Sequence, residues 1–315
     1  MDPKFTQNIQ QLIDSVEKVI FGKREVVKLC VTGLLARGHV LIEDIPGIGK
    51  TTLAQGLARS VHCTFNRIQF TSDMLPSDIL GVAVLDPKTA DFEFRPGPIF
   101  ANVVLADEIN RTPPKTQSAL LEAMSEFQVS ADGKTYPVPQ PFMVIATQNP
   151  IEYEGTYTLP ESQLDRFMIR VDMGYPPGED ELRIMRRRNP AKTLAELPPA
   201  LEAQDVLDLQ DAVGTVRVDE SIAQYVLAIV QATRHFEHVQ LGASPRGSSA
   251  LFETAQAWAL IEGRDYVTPN DVKLLAAPVL AHRLIVKSRG ADLVAAGRER
   301  ARIVHEILKK TPVPV

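Results

Sequence analysis

His39-Val-Leu-Ile-Glu43 runs into Asp44-Ile-Pro-Gly-Ile-Gly-Lys-Thr-Thr52 and then into Leu53-Ala-Gln-Gly-Leu-Ala-Arg59: an apolar β stretch, a glycine loop and a helical pattern in direct succession. This order is what a phosphate-binding loop requires. Gly47 and Gly49 let backbone N–H groups turn inward, and the N-terminus of the helix favours negative charge. Lys50 reaches the outer phosphates, and the Thr51 hydroxyl can ligate Mg2+. A bare Gly-Lys-Thr triplet carries little weight, whereas the triplet at a strand-to-helix junction carries much. The pattern GxxxxGK[ST] wants glycine where this chain has Asp44, so the strict motif fails at its first position. The chain has no Asn-Lys-x-Asp motif for reading guanine, which points the base towards adenine.

Outward from the loop, four more short β-branched and apolar stretches recur: Phe65 to Phe70, Ala101 to Ala106, Phe142 to Thr147 and Phe167 to Val171. Near-continuous apolar strands separated by helical patterns predict an α/β fold, with a parallel sheet covered on both faces. After Tyr175-Pro-Pro-Gly178 the strand signal stops. Ile222, Val226, Ile229 and Val230 then fall at helical spacing, and Thr268-Pro269 with Asp271 reads as a helix start. The second half is expected to be helical, with residues 190–199 as a connector.

The strand ending in Asp107-Glu108 supplies what phosphoryl transfer to water needs: Asp107 to hold Mg2+, and Glu108 to polarise the attacking water. Gln148-Asn149-Pro150 closes another strand, where the Asn149 amide could orient the lytic water or touch the γ-phosphate. Arg166 stands just before the last strand, and Arg246 opens a helix in the second half. Arginines suit the charge of a phosphoryl transition state, in their own chain or in a neighbour.

Composition limits the alternatives. The 315 residues are 44% hydrophobic and 23% charged, enough for an ordinary core and long enough to expect two linked domains. Lys plus Arg number 34 against 39 for Asp plus Glu, so no global charge draws a nucleic acid. No apolar run reaches the roughly 18 residues of a spanning helix, no signal-peptide layout opens the chain, and Cys30 and Cys63 are too few for a disulfide scaffold. The expectation is a cytoplasmic protein without a membrane span. Arg186-Arg-Arg188 and the His235/His238 pair read as helix ends, and Trp258 reads as core.

Together the motifs resemble the AAA+ ATPases, and within them the MoxR-like group of the helix-2-insert class. They are Phe21-Gly22, Glu43 to Thr51, Phe70 to Gly81, Phe94 to Phe100, Ala106 to Arg111, Ala146 to Pro150, Leu164 to Phe167 and Ala243 to Arg246; the Asp44 variant of the loop is the group's own. The resemblance implies a P-loop AAA+ core with a five-stranded parallel sheet flanked by helices (residues 1–175, with an N-terminal helix), followed by an all-α lid (176–315). It implies ATP and Mg2+ bound through Phe21, Gly22, Pro46, Gly47, Ile48, Gly49, Lys50, Thr51, Thr52 and Asp107, with Thr51 and Asp107 on the metal. Catalysis falls to Glu108, to Asn149 as first sensor, to Arg246 as second sensor and to Arg166 as the finger reaching the next subunit. Arg111 is another candidate for contact between subunits, and which of the three arginines acts in trans stays open. The ring, expected to be a hexamer, is likewise an implication. So is a chaperone-like role in maturing partner complexes, with a von Willebrand A domain protein as adaptor. The insert, Pro76 to Phe94, becomes a hairpin towards the pore or face, where Phe92 and Phe94 either pack or grip a partner. Two rival functions remain: a nucleic-acid motor on the same fold, and a nucleotide-gated binding module with little turnover.

Overall fold

The computed structural model describes all residues except 1, 86, 89, 90, 132, 150–156, 158, 188, 288–292 and 315, and omits the side chains of 293 and 294. Pro150, Arg188 and part of the Pro76 to Phe94 insert therefore lie outside the described residues. Helices α1 (Pro3–Glu17) and α2 (Arg24–Leu35) precede strand β1 (Val40–Glu43) and helix α3 (Lys50–Ser60). Then come β2 (Phe65–Gln69), α4 (Pro76–Leu80), the hairpin β3 (Gly81–Leu85) and β4 (Phe92–Pro96), β5 (Val103–Asp107) and α5 (Pro114–Glu126). A second hairpin, β6 (Gln128–Ala131) with β7 (Lys134–Pro137), leads to β8 (Met143–Gln148), α6 (Glu161–Leu164) and β9 (Ile169–Val171).

Five strands pair in parallel in the order β2-β5-β8-β1-β9. Their alternation builds two cores. Val40, Ile42, Val103, Leu105, Met143 and Ile145 join one apolar cluster, while Leu41, Val104, Val144 and Ala146 join the other. Successive side chains of a strand point to opposite faces, so a sheet buried on both sides reads as an unbroken apolar run. The first cluster takes in α1, α2, α3 and the C-terminal helices; the second takes in α5 through Leu120, Leu121 and Met124. Because β8 and β5 lie between β1 and β2, the loop after β1 opens beside the carboxyl ends of β8 and β5.

Beyond Pro177 the chain is helical: α7 (Gly178–Arg186), α8 (Pro190–Ala195), α9 (Ala203–Val213), α10 (Glu220–His235), α11 (Pro245–Ile261), α12 (Pro269–Leu280) and α13 (Leu293–Lys310). Ile222, Val226, Ile229 and Val230 are buried, as their spacing predicts, and Trp258 is core. At the start of α12 the Asp271 carboxylate accepts from the Thr268 N–H and hydroxyl at 2.7 and 2.8 Å. Residues 190–199 are not wholly a connector. Asn189 Oδ1 accepts the Lys192 N–H at 3.1 Å, and Pro190 loses no useful donor in the first turn, so the pair starts the short α8 instead of breaking the chain. The lid also carries a small antiparallel pair, β10 (Val239–Leu241) with β11 (Ile285–Val286). Strands this short have no period to read.

Candidate functional site

Pro46, Gly47, Gly49, Lys50, Thr51, Thr52, Asp107, Glu108 and Asn149 line one cleft of about 320 Å³ at the carboxyl ends of β1, β5 and β8. Gly47 and Gly49 adopt φ of 85° and 97°, a left-handed backbone that side chains resist and that leaves the loop amides free to face the cleft. Gly49 sits at the N-cap of α3, so the positive end of that helix points into the same space. The Lys50 ammonium donates to the Asp44 carbonyl. Burial pushes it below the ordinary lysine range, while Asp44, Asp107 and Glu108 pull it back. Ile48 does not line the cleft; its side chain packs against the first core.

Asp44 has a structural reason to replace glycine. Its carboxylate accepts the Ile45 N–H at 2.8 Å and the Gly174 N–H at 2.6 Å, tying the loop to the segment that leaves β9. Phe21 and Gly22 meet the same region from the other side. The Phe21 ring lies 4.5 Å from the Arg183 guanidinium and 5.5 Å from that of Arg187. Gly22 has φ of 65°, and a Cβ there would come within 2.4 Å of an Asp180 carboxylate oxygen. Lys23 Nζ donates to the Tyr175 carbonyl at 2.7 Å. The N-terminal segment, the phosphate loop and the start of the lid therefore meet at one seam.

The two acids at the end of β5 are held by Thr147, Arg67 and Gln69, for which the sequence offers no motif, and by Arg111, a candidate contact between subunits. Thr147 Oγ1 donates to Asp107 Oδ1 at 2.5 Å and accepts the Glu108 N–H at 2.9 Å. Arg67 pairs with Asp107 Oδ2, Gln69 Nε2 donates to Glu108 Oε2 at 2.8 Å, and Arg111 reaches the same Glu108 oxygen at 3.1 Å. Glu108 itself takes a left-handed φ of 58°, rare for a residue with a side chain and of a kind that gathers at functional sites. Arg67 and Gln69 fall at i and i+2 on one face of β2, and they meet the acids only because β2 pairs with β5 in the folded sheet.

The Thr51 hydroxyl and the Asp107 carboxylate both line this cleft and offer hard oxygen donors. That suits Mg2+, which is usually held by one or two protein oxygens plus the phosphates of a nucleotide.

Arg166 and Arg246 are elsewhere. With Arg37, Glu253 and Arg283 they line a second cleft of about 220 Å³, which shares no residue with the first. It includes Arg37, Gly38 and His39, which precede β1, whereas the phosphate loop follows β1. The strand separates the clefts by roughly 15 Å at about 3.3 Å per residue. Arg166 Nη1 donates to the Leu121 carbonyl and the Ser125 hydroxyl, each at 2.6 Å. Asp165 beside it accepts from Ser244 Oγ and from Arg283 Nε, both at 2.9 Å. Burial lowers Arg283 to about 10 and raises Glu253.

In the insert, Phe94 and Phe92 part ways. Phe94 stacks on Tyr136 of the second hairpin with centroids 4.0 Å apart, and Phe92 stays 71% exposed.

Comparison with known proteins agrees with this geometry. Residues 39–169 match the ATPase family associated with various cellular activities (AAA), and residues 231–307 match the AAA lid domain. The chain is 50% identical to Bacillus subtilis protein YeaC across 96% of this chain and 94% of that protein. It is 41% identical to Chaperone MoxR1 of Mycobacterium tuberculosis, across 97% of this chain and 82% of that one. A crystal structure of a candidate ATPase from Cytophaga hutchinsonii superposes with a TM-score of 0.89 at 38% identity, covering 99% of this chain and 96% of the other. Phosphate loop, acidic strand end and helical lid are the parts of one nucleotide-hydrolysing machine, and the chain belongs to the MoxR family of AAA+ ATPases.

Proposed function

We propose that this ATPase works as a ring, expected to be a hexamer, in which each ATP is bound by one subunit and completed by the arginines of the next. Lys50 and the loop amides bind the phosphates, and Thr51 and Asp107 would hold Mg2+, which when bound polarises the phosphoryl oxygens. Glu108 orients and deprotonates the attacking water, and Asn149, the residue directly after β8, senses the γ-phosphate. Arg166 and Arg246 act in trans. The observation that carries this reading is their common cleft at the amino end of β1, a strand length away from the phosphate loop. Arg111 sits instead on its own chain's Glu108.

The test is complementation between inactive subunits. Glu108→Gln keeps its arginines but loses the base, and Arg166→Ala keeps its base but loses the finger. Mixed in equal amounts, they form interfaces with both parts intact, and ATP turnover returns. Mixtures as inactive as the separate variants would refute action in trans.

The work extracted is assigned to partner proteins. The core spans residues 1–175 and the lid 176–315, and the lid turns about Tyr175 to Gly178 as nucleotide is bound and released. A relative named as a chaperone supports maturation or assembly of client complexes as the outcome, with a von Willebrand A domain protein as adaptor and the cytoplasm as the compartment. Among the described residues no helix is long and apolar enough to cross a membrane. Glu108→Gln protein trapped with ATP should retain such a partner and release it with ADP; equal retention in both would count against nucleotide-driven remodelling.

A further inference from the structure

The acid assigned to the metal is occupied by a cation from its own chain. Arg67 Nε and Nη2 both donate to Asp107 Oδ2, at 3.1 and 2.6 Å. The other oxygen, Oδ1, accepts the Thr147 hydroxyl. Arg67 lies on β2, one of the two edge strands of the sheet, and its side chain is 48% exposed against 15% for Asp107. The guanidinium thus reaches over from the open side of the cleft and has solvent to withdraw into. The same Nη2 donates to Gln69 Oε1 at 2.7 Å, and Gln69 holds Glu108 through its amide nitrogen.

An exposed ion pair of this kind adds little to stability, so the fold has little need of it here. Its position matters more than its strength. A divalent cation and a guanidinium repel each other and compete for the same carboxylate lone pairs. We propose that Arg67 is a resident counter-cation of the metal site, holding Asp107 while no metal is bound and withdrawing from it when Mg2+ and nucleotide load. Arg67 is then a positioning residue. This inference rests on the proposed assignment of Asp107 to Mg2+.

The test reads metal affinity, with Mn2+ as the probe, by titrating the free-ion electron paramagnetic resonance signal against full-length protein in the presence of ADP. Arg67→Gln should bind Mn2+ about fivefold more tightly than the unaltered protein, the scale of losing one half-exposed charge-assisted contact. Arg111→Gln removes a cation from the neighbouring Glu108 and should change Mn2+ affinity less than about twofold. Asp107→Asn should weaken Mn2+ at least about tenfold. An Asp107→Asn variant with undiminished affinity would overturn the metal assignment itself. With Asp107→Asn weakened, unchanged or looser binding by Arg67→Gln overturns the role given to Arg67. Equal tightening in Arg67→Gln and Arg111→Gln does the same, because it would reflect only the general field of the site.

Discussion

Replacing Asp44 with glycine restores the strict phosphate-loop pattern and should nonetheless make the protein less stable. The carboxylate accepts two backbone N–H groups, one next to it at Ile45 and one 130 residues away at Gly174. Hydrogen bonds to an ionised acceptor contribute about 1.5–3 kcal/mol when well shielded. Gly174 is exposed and Asp44 is half-buried, so each bond falls at or just below the lower end, about 1–1.5 kcal/mol, or about 2–3 kcal/mol for the pair together. Glycine adds about 0.5–1 kcal/mol of unfolded-state entropy, giving a total near 3 kcal/mol. Asp44→Asn keeps one acceptor oxygen without the charge and should lose about half of that. The assay is urea unfolding without nucleotide, comparing midpoints at constant slope. With saturating ADP the gap should narrow, because the carboxylate faces Lys50 and its removal favours phosphate, and because ligand stabilises only the folded state. An Asp44→Gly protein that unfolds at the same urea concentration as the unaltered one would refute the tether.

Two further outcomes follow from buried groups. His39 Nδ1 accepts the Val144 N–H at 3.0 Å and Nε2 meets the Met124 carbonyl at 2.9 Å, so the ring is held neutral, and burial lowers it to about 4. Its folded value lies below its ordinary 6.5, so the unfolded chain binds the extra proton first; stability is full above pH 6.5 and falls by about 3 kcal/mol as pH drops to 4. His282, pushed in the same direction by burial and by Arg283, adds to the slope, and His39→Gln should flatten it in urea titrations at pH 7.5 and 4.5 without abolishing it. Asp165→Ala should cost about 3–5 kcal/mol by leaving the Arg283 guanidinium, 2% exposed, without its carboxylate. The double variant Asp165→Ala/Arg283→Met should recover most of that loss in thermal unfolding, and a fully additive double variant would deny the pair.

What the sequence disclosed was mostly what backbone periodicity and local spacing control. All five core strands were legible because a sheet covered on both faces makes apolar runs, and Lys50, Thr51, Asp107 and Glu108 were legible because each sits at a fixed offset from a strand end. The α8 helix was not, since Asn-Pro reads equally as a breaker and as a cap plus first turn. Arg67, Gln69 and Thr147 stayed hidden for a different reason. Each reaches the acids across a strand boundary, so its part depends on which strands are neighbours, and sheet order is not a local property. The second task of Asp44 was hidden likewise: Gly174 is near it only once β9 lies beside β1.

The segment around β9 links the helical lid to two distant sites. At its amino end Asp165 is clamped by Ser244 at the N-cap of α11 and by Arg283 in the turn after α12, and the Phe167 carbonyl accepts from Arg283 Nη2 and meets His282 Nε2, at 2.8 and 2.9 Å. At its carboxyl end Gly174 is tied to the phosphate loop by Asp44, and Tyr175 to the N-terminal segment by Lys23. One edge strand therefore carries a lid contact beside Arg166 and a loop contact beside Lys50, joined by backbone paired in register to β1. A displacement of the lid that follows the nucleotide would act on both of these ends, alongside the packing of α9 and α11 on α1 and α2. If the Asp165 clamp is the rigid one, as the burial of Arg283 argues, the lid and the arginine cleft move as a single body, and the seam at Gly174 and Tyr175 yields. Loosening that seam with Asp44→Gly should then alter nucleotide affinity while leaving the complementation of Glu108→Gln by Arg166→Ala intact; loosening the clamp with Asp165→Ala should abolish the complementation at unchanged nucleotide affinity. The reverse pattern would place the hinge at the arginine end.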